Sequence, residues 1–281
     1  MDTEMAQLPR IPSTEADPTF RVSRGRIRQS IMGWTYAPMP VPELARLCRE
    51  IGFAAMEGID PSHYPLIREL GMEIALVGSH GFSKGPLNPN NREEVVSRLR
   101  QGIETAAKFG SKRVITFTGM REPGITEEAA MRNCVETWRM LLPLAEEKGV
   151  DLCLEHLNSR DLGHTMKGHP GYFGDDVDLC AELVRRVQSP RMKLLFDFYH
   201  VQVMHGDVIR RYRELQPIIG HLHVAGVPGR GELDERQEMN YPAILRAVAD
   251  SGYEGFVAQE FLPTWEDREL ALRHAAAVCD V

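Results

Sequence analysis

From residue 27 to its end the chain alternates short apolar runs with longer amphipathic segments, and the alternation repeats eight times. The apolar runs fall at 27–32, 54–59, 73–78, 113–118, 151–156, 193–198, 220–225 and 255–260. The amphipathic segments fall at 42–51, 61–70, 91–109, 126–148, 175–188, 203–216, 240–252 and 266–278. Brief continuous apolar runs predict buried strands, and apolar residues returning every three or four positions predict helices with one buried face. In the fourth amphipathic segment Cys134, Trp138, Leu141, Leu142 and Ala145 draw such a face. Gly52, Gly71, Gly110, Gly149 and Gly252 each follow a helical run, where a left-handed residue ends a helix.

Eight strand–helix units predict an α/β fold, a single-domain (β/α)8 TIM barrel, which takes roughly 250 residues. The 281 residues fit one such domain, spanning 27–281. An open dinucleotide-binding sheet would carry a Gly-rich phosphate turn after its first strand; here Gly33-Trp34-Thr35-Tyr36 follows instead. Residues 1–26 are polar and broken by Pro9, Pro12 and Pro18, and read as a flexible N-terminal arm, either a loose tail or a segment packed on a neighbouring subunit.

A net charge of −7 sets the chain against nucleic acid and anionic membranes. No apolar run is long enough for a membrane helix, and the first residues lack a secretory signal's apolar core. The five cysteines, Cys48, Cys134, Cys153, Cys180 and Cys279, show no close pairing, which argues against a disulfide framework or structural zinc and for a reducing cytoplasm.

Catalytic groups of a closed parallel barrel stand at the C-terminal strand ends. Here four consecutive strands end on a metal-binding side chain after an apolar run: Glu155, Asp197, His223 and Glu260. One buried carboxylate is costly to desolvate unless paired; four such donors converging on the barrel axis predict a shared divalent cation. Three carboxylates and one imidazole favour Mn2+ or Mg2+, with Zn2+ or Co2+ as alternatives, and leave positions for substrate oxygens.

The segments around these residues resemble the xylose-isomerase-like barrels, and within them the hydroxypyruvate isomerase family, related to the ketose 3-epimerases. The resemblance is carried by Leu154-Glu155-His156-Leu157-Asn158-Ser159-Arg160, by Phe196-Asp197-Phe198-Tyr199-His200, and by the run from His221 to Glu232 containing Val227-Pro228-Gly229-Arg230-Gly231-Glu232. Asn240-Tyr241-Pro242, Gly252-Tyr253-Glu254-Gly255 and Gln259-Glu260 continue it, so that it covers 27 to about 278. It implies that Glu155, Asp197, His223 and Glu260 are metal ligands and that Glu155 and Glu260 also move protons on opposite substrate faces. It implies that His200 touches substrate. Hydroxypyruvate isomerases often carry Gln at the position of His223; His is the ketose-epimerase choice.

The expected activity is therefore a divalent-metal-dependent isomerisation of a small hydroxy-carbonyl or keto-sugar substrate, by enediolate proton transfer between two glutamates. The alternatives are a ketose 3-epimerase and a metal-dependent lyase acting on a keto-sugar or keto-glycoside. A DNA-repair endonuclease on the same barrel would want more strand-end histidines and a basic groove. Arg230 reads either as a fork for a substrate carboxylate or as a loop-ordering ion pair. Asn158 either orients substrate or caps a turn, and His80 either lines the pocket or is satisfied by backbone. Trp34 and Tyr36 are candidate walls. His156 points away from the axis, and His221 supports the site from a deeper layer. The loop 157–174, with His164, Lys167 and His169, is a candidate lid. The arm and the resemblance together point to a homo-oligomer.

Overall fold

The computed structural model of the protein describes residues 16–164 and 166–281. The eight predicted strands form as β1 (Arg28–Met32), β2 (Ala55–Glu57), β3 (Glu73–Ile74), β4 (Arg113–Thr116), β5 (Asp151–Glu155), β6 (Met192–Asp197), β7 (Ile219–Val224) and β8 (Phe256–Gln259). All pair in parallel, in the order β3-β2-β1-β8-β7-β6-β5-β4. The seam between β3 and β4 is joined by a parallel bridge from Val77 to Val114. There Val77 N–H donates to Arg113 O and Ile115 N–H to Val77 O, each at 3.0 Å. The sheet thus closes into a barrel.

The helices are α1 (Val41–Ile51), α2 (Tyr64–Glu69), α3 (Arg92–Phe109), α4 (Glu127–Arg139), α5 (Leu142–Lys148), α6 (Val177–Val187), α7 (Phe198–Met204), α8 (Val208–Leu215), α9 (Tyr241–Asp250) and α10 (Arg268–Cys279). Gly52 and Gly110 end α1 and α3 with φ of 104° and 78°, the left-handed stop that the sequence predicts. The segment 126–148 is two helices rather than one, because Pro143 cannot continue the ladder and instead opens α5. The segment 203–216 likewise differs: the chain enters α7 directly from β6 and breaks at Gly206-Asp207 before α8. The early start comes from Asp197, whose Oδ1 accepts the N–H groups of Tyr199 (2.7 Å) and His200 (3.4 Å) as an N-cap.

Trp138, fully buried on α4, packs toward the barrel wall and donates from Nε1 to Thr116 Oγ1 at 3.0 Å. Truncating a core aromatic of this kind costs about 3–5 kcal/mol. Of the predicted arm, residues 1–15 lie outside the described residues. The remainder is tied to the barrel base: Ser23, Arg24 and Gly25 donate backbone N–H groups to the Asp280 carboxylate at 2.9–3.2 Å. Arg273 donates to Phe20 O at 3.1 Å.

Register places the site. Asp197 pairs with His223, and His223 with Ala258, so Asp197 and His223 leave neighbouring strands at one level and Glu260 follows two residues further along the next strand, on the same face. A register shift between Leu194 and Leu195 inserts Gly220 as an extra residue in β7. A Cβ there would lie 2.8 Å from Lys193 Cβ and 2.9 Å from Cys153 Sγ, so only glycine fits. The bulge re-aims the strand that carries both His221 and His223.

Candidate metal centre

Glu155, Asp197, His223 and Glu260 converge: one donor atom from each lies within 4.8 Å of a donor from each of the others. All four residues are buried. Glu155 Oε1, Asp197 Oδ2 and His223 Nδ1 are buried without a hydrogen-bond partner, and Glu260 Oε2 is met by the Arg230 guanidinium at 2.6 Å. His223 Nδ1 stands 2.7 Å from Glu260 Oε2 and 3.5 Å from Glu155 Oε1. An imidazole nitrogen and a carboxylate oxygen this close need a proton or a cation between them. Orphaned buried polar atoms are rare in folded proteins, and three of them beside the Glu260 carboxylate fit a divalent cation with hard donors.

The ionisation of these groups follows the same charge balance. Burial first, then the nearby Glu260 and Asp197 carboxylates, push Glu155 up to about 7 against the pull of His223. Burial pushes Asp197 up to about 6 although Arg230 opposes it. Burial would raise Glu260 too, but Arg230 and His223 hold it below the usual carboxylate value. Burial would lower His223, yet the facing Glu260, Glu155 and Glu57 carboxylates raise it well above the usual imidazole range. The cluster attracts positive charge.

Glu57, at the end of β2, is the residue that the strand-end argument misses. It is fully buried and accepts from Nε2 of His221 (3.0 and 2.9 Å) and from Nε2 of His223 (2.9 Å). Those partners outweigh burial and hold its carboxyl down at about 2. Its signal is the one used for β5 to β8, an acid closing an apolar run, here Ala54-Ala55-Met56-Glu57.

Arg230 sits on the loop after β7 with φ of 57°, a left-handed conformation that a non-glycine residue adopts only at a cost of about 1–3 kcal/mol. It is 2 % exposed, so its ion pair is a buried one. Its guanidinium lies between the rings of Trp34 (5.7 Å) and Tyr199 (5.6 Å). It contacts Glu260 Oε2 at 2.6 Å and donates to Met166 O of the 157–174 loop.

His200 is fully buried, and Asn158 N–H donates to its Nδ1 at 3.1 Å. The proton therefore rests on Nε2, which has no partner and stands 3.6 Å from Asp197 Oδ2. Asn158 spends its side chain on Lys167 O (2.7 Å), His200 Nδ1 (2.7 Å) and Asp161 N–H (3.0 Å), and so orders the loop rather than reaching outward. His156 Nε2 accepts from Asp197 N–H at 3.2 Å and faces away from the cluster, as strand alternation predicts. His80 is turned aside: its ring nitrogens meet Lys84 O (2.9 Å) and Thr116 Oγ1 (3.1 Å), and it does not line the central cavity.

That cavity holds about 290 Å3. Glu155, Glu260, Arg230 and His169 give it polar groups, and Trp34, Phe82, Ile115, Phe117 and Met166 much of its apolar wall. His169 packs against Phe82 with centroids 4.3 Å apart and ring planes inclined at 54°. Among the described residues no helix is long and apolar enough to cross a membrane.

Comparison with known proteins agrees with this architecture. The human putative hydroxypyruvate isomerase is 29% identical over 236 residues, covering 83% of this chain and 78% of that protein. The 2-oxo-tetronate isomerase of Pectobacterium atrosepticum is 24% identical over 245 residues, covering 81% and 88%. Among solved structures, D-psicose 3-epimerase from Clostridium cellulolyticum H10, determined with D-tagatose, superposes with a TM-score of 0.73 at 20% identity, covering 90% of this chain and 97% of that one. The family described as xylose isomerase-like TIM barrel matches residues 45–280, and the chain belongs to it.

Proposed function

We propose that this chain is a divalent-metal-dependent isomerase of a small 2-oxo, hydroxy-bearing acid, hydroxypyruvate-like in size. The observation that carries the reading is that Glu155 and Glu260 belong to one buried cluster of cation-binding donors and line the same small cavity. Glu155, Asp197, His223 and Glu260 would hold the ion, which when bound supplies Lewis-acid polarisation of a carbonyl and its neighbouring hydroxyl. The chain's own groups do the rest. Glu260, kept ionised by Arg230 and His223, takes the proton from the hydroxyl-bearing carbon. Glu155, lining the same cavity, hands a proton to the adjacent carbon while the substrate's hydroxyl proton passes to the former carbonyl oxygen, so that atoms balance. The orphan Nε2–H of His200 is available to a substrate oxygen. Arg230 offers a planar fork to a substrate carboxylate.

Return of the proton to the other face of the same carbon would give epimerisation, the chemistry of the ketose 3-epimerases. Volume does not separate the two, since about 290 Å3 admits a ketohexose as well as a short acid; the lining does. Its Trp34, Phe82, Ile115 and Phe117 side offers little to the hydroxyls of a longer sugar, each of which would lose about 1–3 kcal/mol if buried unpaired. The test is a substrate panel on chelator-stripped and Mn2+- or Mg2+-reloaded protein. Hydroxypyruvate, tartronate semialdehyde, 2-oxo-tetronate and free ketohexoses are compared. Turnover of the short acids should vanish on stripping and return with metal. Activity indifferent to chelation, or confined to ketohexoses, would sink the proposal.

A further inference from the structure

We propose that Glu57 is a positioning residue that decides which nitrogen of His223 faces the carboxylate cluster. The inference rests on the reading of that cluster as a cation site. Glu57 has no Lys or Arg partner among the described residues; its carboxylate is held by His221 Nε2 (3.0 and 2.9 Å), His223 Nε2 (2.9 Å) and Ser30 Oγ (3.2 Å). An ionised carboxylate only accepts hydrogen bonds, so each imidazole nitrogen turned to it carries a proton. For a neutral His223, the form that can ligate a cation, this leaves Nδ1 as the lone pair, aimed at Glu260 and Glu155. The opposite tautomer would direct an N–H into the cluster and close it to a cation. A carboxylate behind a ligating imidazole both orients the ring and raises its donor strength.

The same three residues are also near enough together to bind an ion of their own. The contacts argue against that use. They are hydrogen-bond lengths, and a nitrogen that donates a proton to Glu57 has no lone pair left for a metal. Glu57 therefore acts through His223 rather than on substrate.

The test uses the full chain, stripped with a chelator. Mn2+ affinity and stoichiometry are measured by competition with a fluorescent chelator, and the histidine tautomers by 15N NMR of the Zn2+-loaded protein. The wild type should bind one ion, with the His223 proton on Nε2. Glu57→Gln should weaken Mn2+ binding about 10- to 100-fold and admit an Nδ1–H form of His223. Ser30→Ala, which leaves both imidazole contacts in place, should change affinity little. Should Glu57→Gln fail to fold, the wild-type spectrum still decides, because a proton on Nδ1 of His223 overturns the assignment. So do two ions per chain falling to one in Glu57→Gln, or an equal loss in Ser30→Ala. If wild type and Glu57→Gln bind Mn2+ alike, this inference alone fails; if the wild type binds no ion, the cation reading fails and takes this one with it.

Discussion

Glu155 and Glu260 share a cluster yet sit in opposed environments, and that opposition has measurable consequences. Replacing either by Gln keeps its shape but removes the proton-accepting charge. Each change should lower kcat at least about 100-fold, the scale of lost general acid–base catalysis. The melting temperature of Glu155→Gln should hold, since its raised carboxyl is the crowded one, whereas Glu260→Gln leaves the buried Arg230 charge unpaired and should lower it; wild-type turnover in either variant would end the assignment. The pH dependence follows from Glu155 at about 7 and Asp197 at about 6. Both are raised above their unfolded values, so the stability they confer on the metal-free fold is complete at low pH and is lost as pH rises through those values. A cation must displace these protons. The rise in melting temperature on adding Mn2+ should therefore grow as pH climbs through about 6 to about 7; a flat response would contradict the burial that raises them. The strand-end donors were legible in the sequence because each closes an apolar run. Glu57 closes an apolar run in the same way, but it stands apart from the four consecutive strands whose shared pattern stood out.

At the scale of elements, the bulge in β7 is the feature on which the histidines depend. Gly220 is enclosed by Lys193 and Cys153, and its carbonyl accepts from Arg113 and from Tyr253 Oη (3.3 Å). Gly220→Ala should destabilise the fold by about 1–3 kcal/mol, the cost of overpacking. It should also weaken Mn2+ binding, because His221 and His223 follow immediately on the displaced strand. Urea denaturation and metal titration on the same variant check both, and unchanged values for both would show that the bulge is incidental. A bulge cannot be read from periodicity: one extra residue leaves the run apolar and shifts only its pairing. The split at Pro143 is different, since the local rule against proline inside a helix was available in the sequence and was outweighed by the apolar stripe from Cys134 to Ala145. The early start of α7 depends on Asp197 dividing its two oxygens between a helix cap and the cluster, a dual use that only the assembled site reveals.

Across the whole molecule the barrel is asymmetric. The strands and loops from β1 to β4 line the cavity with Met32, Trp34, Leu76, Phe82, Ile115 and Phe117, while β5 to β8 and their loops bring Glu155, Arg230 and Glu260. The charged half was visible in the sequence because four successive strands end in donors. Of the apolar half only Trp34 was, because a hydrophobic residue at a strand end looks the same whether it faces core or substrate; His80 and Arg230 differ only in where their loops turn. If the apolar half sets substrate length, then Phe82 is the place to test it. Its ring closes the wall by packing against His169 and meeting Phe117 edge-on at 6.4 Å. It is only partly buried, so its removal should enlarge the cavity with modest effect on stability. Phe82→Ala should raise kcat/KM for five- and six-carbon ketoses relative to hydroxypyruvate by about tenfold or more, the range over which a pocket wall discriminates chain length. The proton-transfer groups stay in place, so the hydroxypyruvate kcat should change less than its KM. A ratio that does not move would mean the substrate never reaches this wall, and that its length is set by the 157–174 loop, where Arg230 grips Met166.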